Sequence, residues 1–212
     1  MKIKVNGKKI DYKPIFPLTW GNFLQKLLQE GNYIPKDHGI IGIKLDGVDS
    51  LNVMTEETDK MVPEDIKRVE IFTRDSVAIT KEGLAKVVIL IESMKEEVAS
   101  AADLYREGNL RDASSKIARV MEAFKPMVNF VQSVGISFSM NFDQIMFNQT
   151  TNLREKIEAF LQTLADLVSA QQKKDYGEVA DHLEYQLIDD LSDWTTVANI
   201  LRQEVEASQG KQ

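Results

Sequence analysis

Two histidines, His38 and His182, are the only imidazoles in the chain, and there is no cysteine. Thiol nucleophiles, thiolate metal sites and disulfides are therefore excluded. Glu178 and His182 stand four residues apart, a spacing that puts both on one helical face. A carboxylate and an imidazole so placed could supply two metal ligands, with Glu155 or Glu158 of a neighbouring helix completing an oxygen-rich set. The di-iron pattern of helical bundles needs Glu three residues before His, and position 179 is Val. A bland surface pair is the simpler reading, and no metal or cofactor is expected. Asp189, Asp190 and Asp193 bring three carboxylates together, but no apolar neighbourhood in the sequence suggests the raised pKa that general-acid work requires. Ser114 and Ser115 have no identifiable base. A Gly-rich phosphate loop, a Gly-x-Ser-x-Gly elbow and a dinucleotide fingerprint are all missing. The chain is therefore expected to have no catalytic residues and not to be an enzyme.

The most unusual stretch is Ile136 to Phe147. It places three Phe and two Met among small polar residues, where a connector between helices should be polar. Flexible Met and broad Phe surfaces suit adaptable recognition of apolar partner segments. Phe138, Met140, Phe142, Met146 and Phe147 are the candidate partner-binding residues. The competing reading is a lid that folds over the open end of the helices.

Those residues must be positioned by elements, and 212 residues suffice for two modules. Near the start, Met1, Ile3 and Val5 alternate with Lys2 and Lys4, Asn6-Gly7 interrupts, and Ile10 and Tyr12 resume. That is the signature of a β-hairpin with a tight turn. Pro14 and Pro17 end the second strand. Thr19 is a candidate N-cap for a helix from Trp20 to about Gln29, with Trp20, Phe23, Leu24, Leu27 and Leu28 on its apolar face and Gly31-Asn32 closing it. A strand over Ile40 to Leu45, an Asp46-Gly47 turn, short elements and a last strand over Val69 to Thr73 complete the module. Its expected core is Ile3, Val5, Phe23, Leu27, Ile41, Ile43 and Ile71.

This order of elements resembles the β-grasp fold of ubiquitin and the small sulfur-carrier proteins, over residues 1–74. Ile34-Pro35-Lys36-Asp37 is similar to the turn after ubiquitin's helix. Members that act as carriers or modifiers do so through a free C-terminal Gly-Gly. Here Thr73-Arg74-Asp75-Ser76 continues as helix, so the resemblance implies a binding platform.

From Thr80, a candidate cap, the apolar period becomes helical. Leu84, Val87, Val88, Ile91, Met94, Val98, Ala101, Ala102 and Tyr105 mark a helix over Lys81 to Glu107. Gly108-Asn109 turns the chain into a helix from Leu110 to Val134, which Pro126 should kink or break. Leu153, Ile157, Phe160, Leu161, Leu164, Leu167 and Val168 share a third helix face, and Val179, Leu183, Leu187, Leu191 and Trp194 lead a fourth. A shift of 66 residues superposes Val87 on Leu153, Ile91 on Ile157, Met94 on Phe160, Val98 on Leu164, Ala113 on Val179 and Ile117 on Leu183. This suggests a duplicated α-hairpin. The expected fold is α+β, with a β-grasp domain over 1–76, an antiparallel four-helix bundle over 77–207 and a polar tail over 208–212.

The Gly108-Asn109 turn, Ala113, Ile117, Lys174-Asp175-Tyr176 and the acidic helix ending in Asp193-Trp194 are similar to the flagellin-export chaperones, over about residues 84–202. That resemblance implies a non-enzymatic helical protein that wraps an aggregation-prone client tail. The N-terminal module departs from the family.

With 33 acidic and 26 basic side chains and a formal charge of −7, the chain is repelled by phosphate backbones and anionic lipid. Nucleic acid and membrane are therefore not expected as partners. No apolar run is long enough to span a bilayer, and no signal peptide is evident at the start, so the expected location is the cytoplasm. The function expected is a protein-binding adaptor or chaperone-like protein, with flagellar export as one setting. The alternatives are an enzyme built in the bundle around Glu155, Glu158, Glu178 and His182, and a self-associating structural protein. The oligomeric state is left open.

Overall fold

A computed structural model describes residues 1–29, 32–50, 60–62 and 64–208. Gly31, expected to close the first helix, most of the short elements expected before the last strand, and residues 209–212 of the expected polar tail lie outside the described residues. The chain divides into two compact units, residues 1–79 and 80–212.

Among the described residues, the first unit contains a five-stranded mixed sheet and the helix over Trp20–Gln29. Strands β1 (Lys2–Val5) and β2 (Lys8–Ile10) pair antiparallel, with Ile3 opposite Ile10. Asn6 and Gly7 both adopt positive φ, 47° and 79°, the backbone that a two-residue hairpin turn demands. Helix α1 (Trp20–Gln29) follows, with the Thr19 hydroxyl accepting from Asn22 N at 3.3 Å. Next come β3 (His38–Leu45), β4 (Val48–Asp49) and β5 (Arg68–Asp75). The sheet order is β2-β1-β5-β3-β4, with β1 and β5 parallel and the other neighbours antiparallel.

Ile3, Val5, Trp20, Phe23, Leu27, Ile43, Val69 and Ile71 are buried in one cluster. Two apolar residues expected inside are not. Leu28 is 41% exposed at the edge of its helix face. Ile41 is 45% exposed because the β3–β5 register shifts between Ile40 and Gly42, and a bulge turns its extra residue off the packed face. His38 opens β3, and its Nδ1 lies 3.2 Å from Thr73 Oγ1. Thr73 also exchanges two hydrogen bonds with the Asn6 amide, at 2.8 and 2.9 Å. Because this unit has its own core, residues 1–79 expressed alone should give a dispersed amide NMR spectrum and melt cooperatively, although a domain of this size is marginal. A collapsed spectrum from that fragment would show that the sheet borrows its stability from the rest of the chain.

Helix α2 (Ser76–Arg106) starts without a linker and four residues before the expected Thr80 cap. The Asp75 carboxylate, still part of β5, accepts from Ala78 N at 2.6 Å and does the capping. In the second unit follow α3 (Leu110–Ser137), α4 (Leu153–Lys173), α5 (Tyr176–Asp181), a π-helical stretch over His182–Leu187, and α6 (Ile188–Ser208). Asn109 caps α3, and Asn152 and Glu155 form a reciprocal capping box on α4. Lys174, at φ 59°, ends α4 in the left-handed region. Pro126 lies inside α3 without ending it.

These helices share one apolar core. Both members of each 66-residue pair named above lie in it or pack against it, and Tyr105 and Gln171, 66 residues apart, are hydrogen-bonded to each other at 3.3 Å. At its centre Phe124, Phe160 and Trp194 bring α3, α4 and α6 into ring contact. The π-helical stretch has a simple origin. Val179, Leu183, Leu187 and Leu191 recur every four residues and are all buried. In a regular α-helix, residues four apart drift by roughly 40° per step, so the fourth would leave the core face. The wider π turns, marked by Ile188 N donating to Leu183 O, wind less per residue and hold all four on one side.

Candidate functional site

The residues that could carry metal or acid-base chemistry do not converge. Glu178 and His182 face each other at 3.8 Å, and His182 Nδ1 lies 2.7 Å from Gln186 Oε1 in a shallow polar cleft with Asp175, Asp181 and Tyr185. Asp175 is occupied in capping Glu178 N. Glu155 is bound to Asn152 N in the capping box of α4, and Glu158 lines a different groove. No group of three or more His, Cys, Asp or Glu among the described residues could hold a metal ion.

The aspartates of α6 have a structural partner. Lys156 of α4 reaches Asp190 at 3.5 Å and also pairs with Asp193. Burial pulls the Lys156 pKa down, but the Asp193 hydrogen bond and the charges of Asp193 and Asp190 outweigh it and leave the pKa raised. Lys156 is thus a fixed cation at neutral pH. Ser114 Oγ is hydrogen-bonded to the Tyr105 hydroxyl at 3.0 Å, and Ser115 donates to Arg111 O. Among the described residues, neither serine is hydrogen-bonded to a base.

The Phe- and Met-rich segment after α3 is ordered by local hydrogen bonds. Ser139 turns left-handed at φ 51° and Met140 N donates to Gly135 O at 2.8 Å, the 6→1 bond of a Schellman helix end. At the far side Leu153 N donates to Ile145 O and Phe147 N to Thr151 O. The five candidate residues divide. Met140, Phe142 and Phe147 are half-buried against the helical core, Phe138 is half-buried outside that core, and Met146 is 51% exposed. Phe142 sits so closely on Gly135 that a Cβ there would lie 2.7 Å from Cζ of the ring. Phe147 lies beneath the Lys156 ammonium, 5.6 Å from ring centroid to Nζ.

Two open grooves flank the segment. One, of about 590 Å³, lies between the end of α3, Ser139 to Phe142 and the start of α4, and includes Ile157 and Leu161. The other, of about 630 Å³, runs between Phe138 to Met146 and the last turns of α6 at Ile200 and Glu204. Leu161 and Val168, expected on the packed face of α4, are 56% and 49% exposed, as is Ile136 of α3 at 81%. The packed seam of α4 is Leu153, Ile157, Phe160, Leu164 and Leu167, in alternating steps of four and three. Leu161 and Val168 belong to the adjacent stripe, about 100° further round the helix. Reading all seven apolar positions as one face hid this. The alternating step within the first five was the signal that separates them.

Residues 82–197 match a family model described as a domain of unknown function, DUF8042. No curated protein and no solved structure matches the chain. Among the described residues no helix is long and apolar enough to cross a membrane.

Proposed function

The chain belongs to the DUF8042 family, and we propose that it is a non-enzymatic protein-binding adaptor or chaperone-like protein that holds an amphipathic segment of a client on its helical unit. The observation that carries this reading is the pair of grooves on either side of the Phe138 to Phe147 segment, where Phe138, Met140, Phe142 and Met146 supply apolar surface among polar side chains such as Gln144 and Glu204. Grooves of this kind accept the apolar face of a helix. The helical unit is read as an antiparallel four-helix bundle, an assignment supported by the short turns at Gly108-Asn109 and Lys174 and by the shared core. The sheet unit is read as a β-grasp module on the strength of its 2-1-5-3-4 order, its parallel β1–β5 pair and the helix between β2 and β3. Since β5 runs straight into α2, that module offers no free carboxylate after its last strand and serves to dock a second protein. The setting in flagellar export rests on the sequence resemblance alone.

Phe138 and Met146 make the cleanest test, because neither lies in the helical core. Replacing both with Ser should leave the melting temperature within the small range of surface substitutions, about 0.5 kcal/mol. It should also remove most of the client recovered by affinity capture and identified by mass spectrometry. Undiminished recovery of the same client would move the binding surface off this segment.

A further inference from the structure

We propose that the seam between α3 and α4 seats a basic amphipathic helix, with Leu161 and Val168 as its apolar floor and the acidity of the helical unit selecting its charge. The inference rests on the client-binding reading and names the chemical class of that client.

This seam differs from the others in the helical unit. Glu97 of α2 pairs with Lys116 and Arg119 of α3 at 3.1 and 2.9 Å, and the two cations, Arg119 first, hold its carboxyl below the usual range. Arg106 of α2 pairs with Asp181 of α5 at 3.1 Å and with Glu184, and Lys81 of α2 pairs with Glu206 of α6. Lys156 ties α4 to α6. Among the described residues none of the ion pairs joins α3 to α4. Where the other seams carry charge, this one exposes Ile136 and Leu161 in its groove, and Val168 is exposed two turns further along the same stripe of α4.

Leu161 and Val168 are seven residues apart, two turns or roughly 10 Å along the axis. That is the i, i+7 repeat with which an amphipathic helix presents its anchors. Exposed Ala165 lies between them, small enough for a third helix to approach closely.

Beside Leu161 the groove is lined by neutral Gln132, by Arg154, which is held by Asp143 at 2.5 Å, and by the Glu158 carboxylate. Glu158 therefore favours a cationic partner at the seam, and the unit around it does the same on a larger scale. Residues 80–212 contain 21 acidic and 14 basic side chains and so carry the whole net charge of −7, whereas residues 1–79 balance at 12 of each. A basic helix is steered towards such a unit and an acidic one is repelled.

The test titrates the full-length ¹⁵N-labelled chain with two synthetic helical peptides that share one Leu/Ile face, one with Lys and the other with Glu on its polar positions. The Lys peptide should bind about tenfold or more tightly at low salt and lose that advantage as salt rises. Amide shifts should cluster at Ile136, Leu161 and Val168. Leu161→Asp and Val168→Asp, at exposed positions, should keep the melting temperature and each weaken binding by about tenfold or more, since a desolvated charge opposes burial. Equal affinity for the two peptides would overturn the inference. Shifts confined to Phe138, Met146 and Ile200 would overturn it while leaving the client-binding reading intact. Failure of both peptides to bind at millimolar concentration would overturn both readings. A doubled mass by light scattering that Leu161→Asp abolishes would reassign the seam to contact between copies of this chain.

Discussion

Replacing Trp194 with Ala is expected to destabilise the helical unit by about 3–5 kcal/mol, the range for deleting a buried aromatic side chain. The indole is only 2% exposed. It meets the Phe124 ring at 5.5 Å and 90° and the Phe160 ring at 5.7 Å and 80°, while those two rings stack at 4.5 Å. Edge-to-face pairs of this kind contribute roughly 0.5–1.5 kcal/mol beyond their buried area. The three side chains come from α3, α4 and α6, so the void cannot close by moving one helix without opening a gap against another. Denaturant melts followed by circular dichroism should show the midpoint falling sharply with little change in slope. A loss below about 0.5 kcal/mol would place the indole outside the core.

The position of Trp194 was legible in the sequence because it continues an apolar series, Val179, Leu183, Leu187 and Leu191, whose spacing already fixes a face. So was the first hairpin, where alternation on both sides of Asn6-Gly7 leaves little choice of register. What escaped depended on distant partners or on one-residue irregularities. The alternation around Ile41 looks regular until the bulge against β5 absorbs a residue, and a bulge is set by the partner strand. The continuation of the last strand into helix was legible, but the cap was placed at Thr80 because Asp75 serves as a strand residue and as a cap at once. The apolar stripe of α4 was visible, but not which part of it lies open, since that depends on where the neighbouring helices pack. The five Phe and Met residues stood out by type. How they divide between core and solvent did not, because their burial is decided by the ends of α3 and α4, which local periodicity does not reach.

That division leads to the second large effect. Replacing Met140, Phe142 and Met146 together with Ser should cost about 3 kcal/mol, most of it from Phe142 and Met140, which pack on the core, and little from exposed Met146. Gly135 shows whether the Phe142 ring is the reason. A Cβ at position 135 would stand 2.7 Å from Phe142 Cζ, so Gly135→Ala should evict the ring and cost about 1–3 kcal/mol, the usual penalty of overpacking. In a Phe142→Ser background the obstacle is gone. The same substitution should then gain up to about 1 kcal/mol, because Ala is the better helix former. The sign of the Gly135→Ala effect should therefore reverse between the two backgrounds, a coupling that neither helix propensity nor loss of area alone can produce. A Gly135→Ala change that is neutral or stabilising in the otherwise unaltered chain would show that Phe142 does not rest there in solution. The whole segment would then be free to serve as recognition surface, and the triple replacement would affect client capture without affecting the melt.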